Sequence, residues 1–281
     1  MFVGGKSGIS LVKAIFTDYK VLQPALRFCT FATLFMSLKL LFLRPQKNTT
    51  IMTELEAIKA RHSVRQYLDK PIEAEKIEAI QACIDRCNRE GGVHIQLIAN
   101  EPKAFASLMA KYGKFQNVSN YVALVAPKGK PGSVTAGYWG ERLVLELQML
   151  GLRTCWVGAS YKKDMSLFQI GAEEELKCVI SFGYGANDGV QHRQKKTASD
   201  VAVNKSSAAE FPDWFINGVE AALLAPTAVN QQKFEFVLHD DNRVEAIAKF
   251  SLIGYAHLDL GIAKYHFEVG AGAGNFSWSL S

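Results

Sequence analysis

Two stretches of the chain read alike, and a chain that repeats a helix–strand–helix plan has to bury two sets of apolar faces in matching ways. Ile80-Gln81-Ala82-Cys83-Ile84 lies over Val219-Glu220-Ala221-Ala222-Leu223. His94-Ile95-Gln96-Leu97 lies over Phe234-Glu235-Phe236-Val237 after a one-residue slip, and Gly140 to Gly151 lies over Asp259 to Gly270 without a gap. The pattern reads as an internal duplication of an α+β unit, although any two such units share this much periodicity. At 281 residues and 48% hydrophobic, the chain holds enough apolar material for one large core or two modest ones. Disordered, collagen-like and disulfide-dense classes are excluded.

The periodicities predict the elements in order. Thr53 and Glu56 form a capping box at the start of a short helix. Ile77, Ile80, Ile84 and Cys87 mark a helix ended by Gly91-Gly92, and Val93 to Ile98 alternates as a strand. Lys103 to Tyr112 reads as an amphipathic helix, Tyr121 to Ala126 as a strand, Lys128 to Ser133 as a loop and Gly137 to Leu150 as a long helix. Arg153 to Val157 and Cys178 to Phe182 read as strands. The polar stretch Lys195 to Ala209 is the linker candidate, dividing half-units of about 52–196 and 210–281 around a linker of about 197–209. In the second half, Phe215, Val219, Ala222 and Leu223 share a helix face stopped by Pro226. Phe234 to Leu238 then reads as a strand, and Arg243 to Phe250 and Leu258 to Val269 as helices.

Charge is unevenly placed. Residues 1–51 carry seven basic residues against Asp18 alone, whereas the remainder of the chain is net −1. The body therefore has no overall electrostatic case for binding nucleic acid. The leader's uncharged run, Phe28 to Leu38, is too short to span a bilayer, which takes about 20 apolar residues, and no small-x-small cleavage site precedes Met52. Membrane attachment is not expected on these grounds, and folded patterning is expected to begin at Met52, with the leader as upstream read-through or a weak targeting segment. Five cysteines without zinc-type spacing suit free buried thiols in a reducing, cytoplasmic compartment. Cys83 and Cys87 share a helix face and read as core rather than metal ligands.

Three segments carry chemistry. Arg61-His62-Ser63-Val64-Arg65-Gln66-Tyr67 places two guanidinium groups and a hydroxyl within five residues, as a phosphate monoester requires, though a solvated basic turn has the same composition. His192-Arg193-Gln194-Lys195-Lys196 is a second basic cluster. Ala225-Pro226-Thr227-Ala228-Val229-Asn230-Gln231-Gln232 offers neutral hydrogen-bonding groups suited to a planar heterocycle, or to a capped polar turn.

Together these segments resemble the nitroreductase family of FMN-dependent oxidoreductases over nearly all of residues 52–281. The Arg-x-Ser-x-Arg-x-aromatic signature stands as Arg61, Ser63, Arg65 and Tyr67, and Ala-Pro-Ser/Thr-x-x-Asn-x-Gln as Ala225, Pro226, Thr227, Asn230 and Gln232. The Gly-Leu-x-Thr-Cys-Trp-x-Gly strand is Gly151 to Gly158, and the closing basic segment runs from Gly183-Tyr184 through Arg193 and Lys195. The departure is one of order. Ordinary members carry the second signature a few tens of residues after the first, where this chain reads Cys87 to Gly92 instead. The chain thus resembles the branch in which two fused half-units imitate the usual dimer.

The resemblance implies an α+β, nitroreductase-like fold: an internally duplicated pseudo-dimer with antiparallel-rich sheets flanked by helices. It implies one composite FMN site. Arg61, Ser63, Arg65, Arg193 and Lys195 would hold the phosphate, Thr227, Asn230 and Gln232 the ring or ribityl end, and Trp156, Val157 and Gly158 would lie near the isoalloxazine. NADH or NADPH would give hydride through flavin N5, in ping-pong fashion, to a nitroaromatic, quinone or similar acceptor. No metal and no side-chain catalyst are then required, and His62, His94 and His266 need no acid–base role. A monomer suffices, with a homodimer as the other arrangement. The rival functions are a flavin-binding protein with little turnover and a leader-anchored binding module.

Overall fold

The computed structural model describes residues 52–279 apart from Gln194, so the expectations for residues 1–51 lie outside the described residues. Helix α1 (Glu54–Ala60) opens as the capping box requires. Glu56 N–H donates to Thr53 Oγ1 at 3.2 Å and Thr53 N–H to Glu56 Oε2 at 2.8 Å. Helix α2 (Ala74–Gly91) buries Ile80, Cys83, Ile84 and Cys87 and stops at Gly92, whose φ of 60° is the left-handed turn that favours glycine. Just beyond it, the Asn88 amide clamps both backbone groups of Ile95 and so sets the start of the first sheet.

That sheet contains β1 (His94–Ile98), β2 (Asn120–Pro127), β3 (Arg153–Val157) and β4 (Glu174–Gly183), in the order β1-β2-β4-β3 with every pairing antiparallel. Side chains of β2 alternate between two cores. Val122, Leu124 and Ala126 pack toward α2 and the long helix α4 (Gly129–Met149), while Tyr121 and Ala123 join Phe105, Phe115 and Tyr161 on the other face. The second sheet holds β5 (Ala202–Asn204), β6 (Phe234–Leu238), β7 (Arg243–Ala248) and β8 (Ser277–Trp278), with an antiparallel centre and parallel edges. It packs on α5 (Asp213–Leu223) and α6 (Ala256–Ala271) through aromatic contacts such as Phe236–Phe267, with centroids 4.5 Å apart. The runs α2–β1–β2–α4 and α5–β6–β7–α6 repeat one plan, but among the described residues β3 and β4 have no counterpart in the second.

The structure corrects four local expectations. Arg243 to Phe250 is not a helix. Asp241 and Asn242 take positive φ (59° and 53°) and turn the chain back on β6, so Val244, Ala246 and Ala248 enter the core as a strand. Lys103 to Tyr112 divides into a 3₁₀ turn (Lys103–Phe105) and α3 (Leu108–Tyr112), because Ser107 accepts Ala110 N–H and restarts the helix. Lys128 to Ser133 is largely the first turns of α4, where Pro131 sits at a position whose N–H has no helical partner to lose. The linker stretch includes β5, which pairs with β6.

Helices α4 and α6 cross at reciprocal glycines. A Cβ on Gly137 would fall on the Leu258 carbonyl and one on Gly261 on the Val134 carbonyl, so backbone meets backbone there. Replacing Gly137 with Ala is expected to lower stability by roughly 3 kcal/mol, measured by urea unfolding, because rigid main chain must move apart.

Candidate functional site

The segment after α1 is stapled to the first sheet. Ser63 bridges Thr154 in parallel, Val64 N–H donates to Thr154 O at 2.9 Å, and the buried Tyr67 hydroxyl donates to Val64 O at 2.7 Å. This anchoring turns Arg61, Ser63 and Arg65 toward a cleft whose opposite wall is the Pro226–Gln232 loop of the second half. At one end lies a cavity of about 450 Å³ lined by Arg61, His62, Ser63, Arg65, Lys114, His192, Thr227 and Asn230, among others. At the other lies one of about 150 Å³ walled by Trp156, Val157, Gly158, Tyr255, Leu258, Asp259 and Ile262. Ser63, Arg65, Pro226, Thr227 and Val229 line both, so the two are compartments of one cleft.

Arg61 is 3% exposed, and its buried Nε has no hydrogen-bond partner among the described residues. Its ion-pair neighbour is Glu141 at 3.8 Å, buried on α4. Glu141 is already engaged: Oε2 accepts Trp156 Nε1–H at 2.9 Å and Oε1 faces His266 Nε2 at 2.9 Å. His266 Nδ1 meets the Ala221 carbonyl at 3.0 Å, and a carbonyl only accepts, so Nδ1 carries a proton. Glu141 is thus shared among three groups, and at 3.8 Å it gives the buried Arg61 guanidinium an ion-pair neighbour but no hydrogen bond. Burial draws the Arg61 guanidinium below its ordinary pKa, with Glu141 opposing. Burial, together with Arg61, also holds His62 and His192 below the usual imidazole range. The compartment is built for an anion.

The facing loop is strained. Val229, Asn230 and Gln232 have φ of 47°, 54° and 46°, and the β-branched Val229 is an outlier there. Six interactions hold it. Thr227 Oγ1 accepts Gln232 N–H, Asp259 accepts Ala228 N–H at 3.1 Å and Gln231 Nε2–H at 2.7 Å, and Asn230 Nδ2 donates to Arg193 O at 2.8 Å. Lys195 Nζ reaches Val229 O and Lys196 Nζ reaches Gln232 O.

Of the residues expected at the site, Arg61, Ser63, Arg65, Thr227, Asn230, Trp156, Val157 and Gly158 line the cleft. Arg193 and Lys195 are instead exposed supports of the loop, and Gln232 is fully buried with its amide donating to Leu223 O at 2.8 Å. Sequence reasoning missed Lys114, which no local motif marks, and His192 and Asp259, which lay inside noted polar clusters. It also missed Glu141, a lone carboxylate in an apolar helix face, which is itself the signal of a buried partner. On the first half the equivalent place is filled. The Trp139 indole lies where a Cβ on Gly91 would stand, and Arg142 stacks over it at 5.1 Å and pairs with Glu90 at 2.8 Å.

A two-layer α+β chain with one cleft, charged at one end and aromatic at the other, is the class of protein that fold and site define. The chain belongs to the nitroreductase family whose model is described as "Putative TM nitroreductase", which matches residues 53–271. A protein of Thermotoga maritima described as a "putative nitroreductase" shares the fold. Identity is 21% with a TM-score of 0.54, over 78% of this chain and 84% of that one. A "putative nitroreductase in complex with FMN" from Desulfovibrio desulfuricans is 17% identical (TM-score 0.43; 57% of this chain, 98% of that one). An "FMN-dependent Nitroreductase" of Clostridium difficile is 19% identical (TM-score 0.39; 52% and 92%). No curated protein matches the chain.

Burial raises the Asp259 carboxyl from 3.8 to about 6, against its loop hydrogen bonds. A carboxyl whose folded pKa lies above its unfolded one stabilises fully below about pH 4, and that contribution disappears as pH rises through 6. The stability difference between wild type and Asp259→Asn is therefore expected to shift by about 2 kcal/mol between pH 4 and 7 in urea titrations, to the variant's advantage at pH 7.

Proposed function

We propose that the cleft takes one FMN per chain and that the protein is an FMN-dependent oxidoreductase drawing on NADH or NADPH. The observation that carries this reading is the buried Arg61 guanidinium, whose Nε has no hydrogen-bond partner among the described residues, beside a cavity lined by further cations. A phosphate monoester supplies what that environment lacks. When bound, FMN would supply the acceptance and donation of hydride. Arg61, Ser63, Arg65 and Lys114 would bind its phosphate, with His62 and His192 gaining protons beside a dianion. Thr227 and Asn230, on a loop fixed by Asp259, would orient the remainder, and Trp156, Val157 and Gly158 would exclude water from one side of the ring. Arg193, Lys195 and Gln232 act through the loop as positioning residues. The acceptor would be a planar molecule such as a nitroaromatic or a quinone, and a monomer contains the whole site.

A second reading, flavin binding with little turnover, is favoured by one feature. The ring compartment is only about 150 Å³ and Tyr255 packs against Gly158 across it, below the roughly 300 Å³ of ordinary ligand pockets. Steady-state oxidation of NADH and NADPH separates the two. A flavin-loaded wild type that oxidises neither, beside a Tyr255→Ala variant that does, marks a closed substrate face. For the cofactor itself, the visible spectrum and heat-released flavin of the purified chain are expected to give about one FMN. Arg61→Ala should weaken FMN binding at least about 100-fold. Colourless wild-type protein that takes up no added FMN would refute the flavoenzyme reading.

A further inference from the structure

Exposed apolar side chains lie on two segments that adjoin the cleft, one through Tyr255 and the other through Lys114. On one side, the loop 249–255 presents Phe250 (81% exposed), Leu252 (91%) and Ile253. On the other, α3 presents Leu108 (82%), Met109 and Tyr112 (86%). The chain following β3 joins them. Gly113, just after α3, lies so close to Ser160 that a Cβ there would crowd it, Lys162 N–H donates to Ala104 O, and Tyr255 covers Gly158. Two apolar tips thus sit on joined segments that border the cleft.

The same three segments are basic. Residues 103–114, 158–167 and 249–255 hold six lysines against Asp164 alone, in a body that is net −1 overall. Asp164 is turned back on Ser166, and of the lysines only Lys249 has an ion-pair partner among the described residues, Glu235. Clustered apolar tips among unpaired lysines suit a surface that is anionic at its face and hydrocarbon just beneath. Lysine is depleted at protein–protein interfaces, so a rim this dense in lysine suits the lipid surface better than a protein partner. No helix among the described residues is long and apolar enough to cross a membrane, so attachment would be at the surface.

We propose that this rim is a docking face for an anionic lipid bilayer, with the 249–255 loop and α3 entering the headgroup region and the cleft mouth facing the membrane. The expectation against membrane attachment came from the leader's short apolar run, whereas the rim lies in the body of the chain. That a membrane-dissolved planar acceptor would reach the cleft this way rests on the flavin reading above; the docking does not.

The test uses the full chain with Leu252→Trp, and Leu68→Trp as an exposed control outside the three rim segments. Vesicles are phosphatidylcholine with about one third phosphatidylserine, carrying brominated acyl chains. The tryptophan introduced at 252 is expected to be quenched beyond the wild-type level and the control one not. Phosphatidylcholine alone should bind at least about tenfold more weakly, and each of Lys111→Gln and Lys163→Gln should cost about fivefold in partitioning. Vesicles that bind the chain without quenching at position 252 would assign the contact to another segment and overturn the proposal. So would absence of binding, or self-association through the rim that leaves the indole unquenched. None of these readouts depends on bound flavin.

Discussion

One carboxylate organises the molecule. Glu141 sits without solvent exposure on α4 and touches three groups from three places: Arg61 after α1, His266 on α6 and Trp156 on β3. Removing it would strand a buried guanidinium beside a buried imidazole, at a cost of about 3–5 kcal/mol. Its importance lies more in what it leaves unbonded than in what it stabilises. Because Glu141 also binds His266 and Trp156 and stands 3.8 Å from Arg61, the guanidinium beside the larger compartment keeps hydrogen-bonding capacity to spare. Because Glu141 also accepts from Trp156, the wall of the smaller compartment is fixed by the same group. The two ends of the cleft are set by a single side chain.

The loop opposite is built in another way, by tolerated strain. Val229 and its neighbours hold left-handed conformations that cost of order 1–3 kcal/mol each, and the surrounding hydrogen bonds overdetermine them. Asp259 belongs to that scaffold although its burial disfavours its charge. Elements that reduce stability at neutral pH while fixing a loop beside a cleft are what a functional site shows when stability has been traded for geometry.

Much of this was legible in the residues. The Arg61–Tyr67 and Pro226–Gln232 segments carry their chemistry in local spacing, so both walls could be named before their juxtaposition was known. The long helices declared themselves by period, and α2 by its glycine stop. What failed was decided by tertiary contact. The β7 segment has apolar residues compatible with either period, and pairing with β6 chose the strand. Gln232 reads as a ligand because its motif is local; packing buries it, with its amide nitrogen on Leu223 O and its amide oxygen without a partner among the described residues. Lys114 and Glu141 reach the site only through the packing of α3's surroundings and α4, which no spacing rule encodes.

The filled counterpart of the cleft has a consequence for how the site is completed. Trp139 occupies the place beside Gly91, so the two halves are not interchangeable, and the walls of the working cleft come from distant parts of one polypeptide. Joined covalently, those walls meet at an effective concentration fixed by the chain itself. Dilution, which would separate two subunits, therefore leaves these two walls facing each other.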